Sequence, residues 1–219
     1  RLEYALNFGE DKQFGLVTYC IPVAPGKSRI VGLFTRNFAK MLHYLTPRWW
    51  DHLKTRNEVL DGDMVVLNHQ EYYLHQNPET SWKTAYKLPT SADRLVIEFR
   101  KWFDRYCEGQ LPWRQVGLIA PETPKISDDR QLLLDRYHQH TQHCQSCRTA
   151  LKRIQWIKRG LLGYFILTVA LVAVLPDNWR INPGLILMSV ALLGLGVYSG
   201  LKFWLEPRFY FVDYIHSKR

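Results

Sequence analysis

Residues 160–175 read GLLGYFILTVALVAVL and residues 183–201 read PGLILMSVALLGLGVYSGL, and neither stretch holds a charged side chain. As a helix the first rises roughly 24 Å at about 1.5 Å per residue, so it needs Trp156 and Ile157 as well to cross a hydrocarbon core of about 30 Å. The second is long enough by itself. Between them lies only PDNWRIN, residues 176–182, a turn with Pro176, Asp177, Asn178 and, just beyond it, Pro183, so the helices are expected to fold back as an antiparallel hairpin with both ends on one side. Arg148, Lys152, Arg153, Lys158 and Arg159 precede the hairpin, Lys202, Arg208, Lys218 and Arg219 follow it, and Arg180 alone occupies the turn. The positive-inside rule then puts the bulk of the chain on the cytoplasmic or stromal side. Trp156, Trp179 and Trp204 fall at headgroup depth, and Gly196 with Gly200 offers a GxxxG face against which Gly160 and Gly163 are expected to pack. A helical hairpin buried in a soluble core is the competing reading.

The rest of the chain bounds its own class. With 219 residues, 47% of them hydrophobic, it can bury a core, which excludes disordered and collagen-like classes. Its formal charge of +9 points to an anionic partner, but the basic residues flanking the apolar stretches account for much of it, and nucleic acid is not expected. Four cysteines, Cys20, Cys107, Cys144 and Cys147, are too few and too uneven for a disulfide scaffold. No signal-peptide pattern follows Arg1, and the chain is expected to be a fragment or a processed product.

Before residue 130 the pattern is α+β. Phe14–Pro22 and Ser28–Phe38 are β-branched and aromatic, and Ala24-Pro25-Gly26-Lys27 between them suits a type II turn, so an antiparallel hairpin is expected. Val59, Leu60, Met64, Leu67 and Tyr73 recur at helical spacing, predicting one long or kinked helix over 48–75 interrupted at Gly62. Thr90 or Ser91 caps a second helix through Val96, Phe99, Trp102, Phe103 and Tyr106 to Gly109. Residues 111–127 read as a loop. A third helix is expected to start at Ser127 or Asp128 and to run through the cysteine pair into the membrane.

The sharpest chemical signal is DRYHQHTQHCQSC, residues 135–147. On a helix Cys144 and Cys147 share a face, so their sulfurs can form a disulfide or hold one metal. A reversible dithiol leads, because CxxC in a reducing compartment is commonly redox-active. A zinc site is the second reading, with His140 four residues before Cys144 and His143 four before Cys147, although one helix seldom wraps a tetrahedral ion alone. Inert thiols are the third. Cys20 and Cys107 read as packed core residues. In VLDGDMVVLNHQE, residues 59–71, the carboxylates Asp61, Asp63 and Glu71 and the imidazole of His69 form no recognisable catalytic spacing, and His52, His69 and His75 read as ordinary exposed or core histidines. No phosphate loop or nucleophile elbow is present.

Taken in order, CIPVAPGKSRIVGLFTRNF (20–38), PRWWDH (47–52), VLDGDMVVLNHQE (59–71), LPTSADRLVIEFRKW (88–102) and the CxxC string before an apolar hairpin resemble the C-terminal part of the pheophorbide a oxygenase group of Rieske non-haem iron oxygenases, to which chlorophyllide a oxygenase is more distantly related. The resemblance implies a mononuclear Fe(II) held by two histidines and a carboxylate, fed with electrons from a [2Fe–2S] Rieske cluster. It implies that Asp63 is the carboxylate ligand, with Asp61 the neighbour easily confused with it. The CxH and CxxH strings of the cluster are absent from this sequence, and no DxxHxxxxH string of the iron site stands upstream of Asp63. They are expected upstream of Arg1, and the chain alone is expected to be inactive.

The resulting expectation is a helix-grip, START-like antiparallel sheet with a long helix. Residues 1–127 would form part of a catalytic domain, 128–159 a helix with the CxxC and a basic juxtamembrane stretch, 160–205 a transmembrane hairpin and 206–219 a tail. The resemblance further implies a chlorophyll-derived tetrapyrrole as substrate, a ferredoxin-like donor, a thioredoxin-like reductant for Cys144 and Cys147, a homotrimer, and a cyanobacterial thylakoid or plasma membrane or a plastid envelope or thylakoid. Trp49, Trp50, Tyr72 and Tyr73 either line the pocket or pack the core. The rival from another class is a redox-controlled membrane scaffold or pigment-binding protein without turnover.

Overall fold

The computed structural model describes residues 2–7, 11–25, 27–77, 81–107, 111, 117 and 129–213. It is mostly helical, with a small antiparallel sheet and two long apolar helices, and it divides into two compact units: residues 1–45 with 67–126, and residues 46–66 with 127–219.

The first unit holds the sheet. Strands β1 (Leu2–Asn7), β2 (Gln13–Ala24) and β3 (Lys27–Arg36) lie in that order, all antiparallel. The pairing of β2 with β3 runs from Phe14 opposite Arg36 to Pro22 opposite Ser28, with an irregularity between Pro22 and Ala24. Pro22 supplies no N–H to a ladder, which makes the shift there intelligible. The expected hairpin is thus present and β1 is an addition to it; the turn geometry at Gly26 lies outside the described residues. Asn37 closes the open end, its side chain accepting from the Gln13 N–H at 2.8 Å and donating to the Asp11 carbonyl at 2.7 Å. Cys20 is exposed and Cys107 half-buried; the expectation of a core Cys20 fails because none of the described residues of this unit covers it.

Helix α1 (Lys40–Leu45) follows the sheet. A short helix α2 (Arg48–Asp51) passes through a π-helical turn, His52–Arg56, into α3 (Asn57–Gln76). The expected long helix is therefore real, but its irregularity sits at 52–56 and not at Gly62, which is buried within α3. Beyond it, α4 (Trp82–Ala85) is held to α5 (Arg94–Cys107) by the Trp82 indole N–H, 2.8 Å from Asp104, and by the Arg100 guanidinium 4.8 Å over the Tyr86 ring. The start of α5 is set by a reciprocal cap between Thr90 and Asp93, two orphan donors satisfied by one pair of side chains.

The second unit holds every residue of the described chain that is fully buried. The expected third helix is broken there. After α6 (Arg130–Leu133), capped by Asp129, comes a π-helical turn, Tyr137–Thr141, then a reversal at 142–144, and only then α7 (Gln145–Val174). The backbone N–H groups of His143 and Cys144 both donate to the His140 carbonyl at 3.0 Å, so the chain turns before α7 begins; the expected start at Ser127 or Asp128 lies outside the described residues. After α8 (Asp177–Arg180), helix α9 (Asn182–Gly200) packs on α7. A Cβ at Gly184 would meet Val172 at 3.6 Å and one at Gly194 would meet Leu161 at 3.5 Å, so the two helices run antiparallel. Gly160, Gly163, Gly196 and Gly200 face open space. The expected GxxxG contact is therefore replaced by Gly184 and Gly194, which lie on the face of α9 that meets the large side chains of α7.

Candidate metal centre

Side chains from three segments of the second unit converge on one point. His52 begins the π-helical turn after α2, His140 lies in the second π-helical turn, Cys144 caps α7, and Cys147 sits in the first turn of that helix. Their four ligand atoms lie within 4.8 Å of one another. His52 Nδ1 is 3.5 Å from both the Cys144 and Cys147 sulfurs, and His140 Nε2 is 3.4 Å from the Cys147 sulfur. The two imidazole rings stand edge to face, with centroids 5.1 Å apart and an interplanar angle of 84°.

Packing holds this arrangement. Cys147 is buried in an apolar cluster with Leu53, Ala150, Leu151, Ile154, Leu205 and Phe209. Trp49 is 5.9 Å from the Phe209 ring and Trp50 6.0 Å from the Trp204 ring, so both tryptophans pack the core, the second of the two roles expected of them; Tyr72 and Tyr73 are exposed. The segment carrying His140 is fastened to the chain after α9. Thr141 Oγ1 donates to the Phe209 carbonyl at 2.7 Å, the Tyr137 N–H donates to the Tyr210 carbonyl at 3.3 Å, and the Tyr137 and Tyr210 rings stack at 5.2 Å. Arg136 is 2% exposed; one guanidinium nitrogen donates to the Arg208 carbonyl at 2.9 Å and another pairs with Asp61.

The electrostatics follow from this burial. Burial, reinforced by Cys144, pushes the Cys147 thiol up to about 12, against the smaller influence of Arg136. Without a cation beside it Cys147 is a neutral thiol and a poor nucleophile. Burial also raises the Asp61 carboxyl, with the Arg136 guanidinium opposing it. At Asp135 burial acts in the same upward direction but is outweighed by the His138 and Tyr137 backbone N–H groups and the His138 ring, which hold the carboxyl below its usual range.

The structure brings together Cys144, Cys147 and His140 from the expected set, and leaves His143 out: its exposed ring is 3.1 Å from the Gln142 side chain. His52, an ordinary histidine by its sequence surroundings, is the fourth member. Nothing in PRWWDH marks it, because its partners lie 92 and 95 residues further on. Asp63 is exposed on α3, while Asp61 is buried and salt-bridged. Among the described residues the one group of three or more potential ligands is His52, His140, Cys144 and Cys147, so no pair of histidines stands with Asp63.

A Rieske cluster also fails to fit the four converging residues. Such a cluster puts its two cysteines on one iron and its two histidines on the other, so each sulfur stands across the cluster from each nitrogen. Here three of the four sulfur–nitrogen pairs are only 3.4–3.5 Å apart and all four ligand atoms lie within 4.8 Å, too close for a cluster to stand between them. The geometry suits a single ion.

The comparisons agree with the sequence motifs. The family model described as pheophorbide a oxygenase matches residues 2–81. The chain is 31% identical over 94% of its length to protochlorophyllide-dependent translocon component 52 of Arabidopsis thaliana, a chloroplastic protein, covering 36% of that protein. It is 36% identical over 95% of its length to chloroplastic flavonoid 8-hydroxylase 2 of Ocimum basilicum, covering 38% of it. It is 33% identical over 98% of its length to chloroplastic pheophorbide a oxygenase of Oryza sativa subsp. japonica, covering 44% of it. The chain thus spans about two fifths of the length of these relatives. No solved structure matches it. Along nearly all of its length the chain is thus similar to part of the pheophorbide a oxygenases and their relatives, the likeness that its sequence motifs carry.

Proposed function

We propose that the chain is part of a membrane-anchored Rieske-type oxygenase that uses O2 and a mononuclear iron to oxidise a chlorophyll-derived tetrapyrrole, and that Asp63 supplies the carboxylate ligand of that iron. The observation that carries the reading is the 33% identity to a pheophorbide a oxygenase along 98% of the chain. The family match over residues 2–81 includes the string around Asp63. An exposed carboxylate on α3 with no partner histidines among the described residues is compatible with ligands contributed from elsewhere. The sheet and α3 would belong to a helix-grip domain, the assembly would be a homotrimer, and the electrons would come from a ferredoxin-like donor.

Membrane anchoring rests on α7 and α9. Both are long and apolar enough to cross a bilayer, and only 6% and 11% of their most apolar windows are buried within the protein. That exposure argues against a core hairpin and for lipid as the covering medium. With the flanking cations at one end, the rest of the chain lies on the stromal or cytoplasmic side, and the chloroplastic relatives favour a plastid membrane.

The test is turnover by the full-length gene product in detergent or nanodiscs, with O2, a reduced ferredoxin and pheophorbide a. Consumption of the pigment with oxygen incorporation, lost about 100-fold or more in Asp63→Ala with the fold intact, is the expected outcome. Hydroxylation of a flavone and none of the pigment would transfer the substrate class to that of the basil relative. No turnover of either by iron-loaded protein would leave the scaffold reading, which the translocon relative favours.

A further inference from the structure

We propose that His52, His140, Cys144 and Cys147 hold one structural Zn2+ ion, distinct from the iron chemistry of the family and independent of whether the chain serves an oxygenase. The first argument is geometric. For a tetrahedral zinc with Zn–S near 2.3 Å and Zn–N near 2.05 Å, adjacent sulfur and nitrogen ligands stand about 3.6 Å apart. Three of the four sulfur–nitrogen separations here are 3.4, 3.5 and 3.5 Å, and the fourth, between Cys144 and His140, is within 4.8 Å.

A plain thiol–imidazole hydrogen bond has a similar length, so the arrangement of the bonds decides. His52 Nδ1 is equally far from two sulfurs. A ring nitrogen has a single in-plane direction, occupied by either a proton or a lone pair, so a bond shared between two sulfurs is bent and weakened towards each. One cation placed between the sulfurs and the nitrogen satisfies all three contacts.

The second argument is charge. Two thiolates, two neutral imidazoles and a divalent cation sum to zero, which suits a site whose Cys147 is fully buried. The third is the backbone. His52 and His140 each lie in a π-helical turn, and Cys144 is the extended residue that ends the reversal before α7. Such turns inside helical chain are frequent at functional sites, although a third one, Leu201–Leu205, carries no ligand. Here the two turns and the reversal deliver ligands that one continuous helix cannot.

The donor set selects the metal. Two sulfurs with two nitrogens and all four positions filled by protein make a closed structural zinc site, whereas a catalytic zinc keeps a position open and a non-haem oxygenase iron takes histidines and a carboxylate. The ion would tie the α2 segment to the start of α7 and keep both thiolates from disulfide exchange. Cys144 and Cys147 would then be a clamp and not a freely cycling dithiol.

The full-length protein, expressed with zinc in the medium and purified without chelator, tests this by metal analysis. About one zinc per chain is expected, beyond any iron the protein carries; His143→Ala should keep it and His52→Ala should lose it at least tenfold. Because a misfolded variant would mimic metal loss, the wild-type protein carries its own readout. Alkylation followed by mass spectrometry should label Cys20 quickly and the half-buried Cys144 at least tenfold more slowly, and a strong zinc chelator should raise the Cys144 rate at least tenfold while Cys147, buried with or without the ion, stays slow. Replacement by Co2+ should give tetrahedral ligand-field bands with a sulfur charge-transfer band. The proposal is overturned by a Cys144–Cys147 disulfide in zinc-free protein that is folded, by zinc that survives His52→Ala, or by iron with labile sulfide at these four residues.

Discussion

The two units differ in how they are covered. In residues 46–66 with 127–219, Leu53, Leu134, Cys147 and Phe209 are at most 1% exposed, and the buried Arg136 is matched to Asp61. In residues 1–45 with 67–126 no described side chain is buried. Ile30, Val31, Leu33 and Phe34 are successive or nearly successive on β3 and all more than 40% exposed, so apolar side chains alternate onto both faces of the sheet. On α5, Leu95, Phe99, Trp102 and Tyr106 form an exposed apolar stripe at helical spacing. One unit completes its core from its own residues. The other displays the pattern of a structure sandwiched on both sides, so its stability depends on what covers it.

Substitutions in both units break or sharpen this contrast. The largest effect is expected in the self-covered unit: Asp61→Ala leaves the Arg136 guanidinium buried without its partner and should cost about 3–5 kcal/mol, read by thermal unfolding in detergent, with the pair Asp61→Leu and Arg136→Met recovering most of it. A loss under about 1 kcal/mol would mean that water reaches this pair and that the unit is less closed than its burial suggests. Leu33→Ala on β3 should cost under about 0.5 kcal/mol if its face stays exposed, as for other surface substitutions. A loss of about 2–5 kcal/mol in the full-length protein, the range for core leucines, would show that the sheet is covered there. The smallest effect belongs to Asp135→Asn. The Asp135 carboxyl is held below its usual value, so its contribution is present above about pH 4 and is lost as pH falls through the folded-state value. For an exposed pair with His138 this amounts to a few tenths of a kcal/mol, visible as a slight flattening of the acid limb of a stability–pH curve.

The legible parts of the molecule are those fixed by local pattern. The β2–β3 hairpin follows from two β-branched runs about a Pro-Gly pair, α3 from its helical spacing, α5 from the Thr90–Asp93 cap, and α7 and α9 from uncharged length. What escapes the sequence depends on contacts between distant segments. The reversal at 142–144 carries no glycine or proline, and is held in place by Thr141 bonding to the Phe209 carbonyl, 68 residues away. Asp61 and Asp63 stand two apart on one helix and are not separable by spacing. It is Arg136, 75 residues on, that makes Asp61 the buried member. His52 and the glycine faces of α9 escape for the same reason, since helical periodicity states which residues share a side and not which side meets a partner.

The helix α7 runs without a break from Gln145 to Val174, and Lys158 within it pairs with Glu206 beyond α9, both side chains 16% exposed. Lys158 follows Cys147 by three turns, about 16 Å along the axis. A sheltered ion pair beside the apolar stretch resists being drawn into hydrocarbon, so in the proposed setting it acts as a depth stop that keeps Trp156 and Ile157 among the headgroups, outside the span they were expected to complete, and the rigid rod above it becomes a measuring post. The height of the His and Cys centre over the lipid would then be counted in residues. Adding a single residue between Cys147 and Lys158 would lift that centre by about 1.5 Å and swing it about 100° around the post, turning it away from the side on which His52 waits.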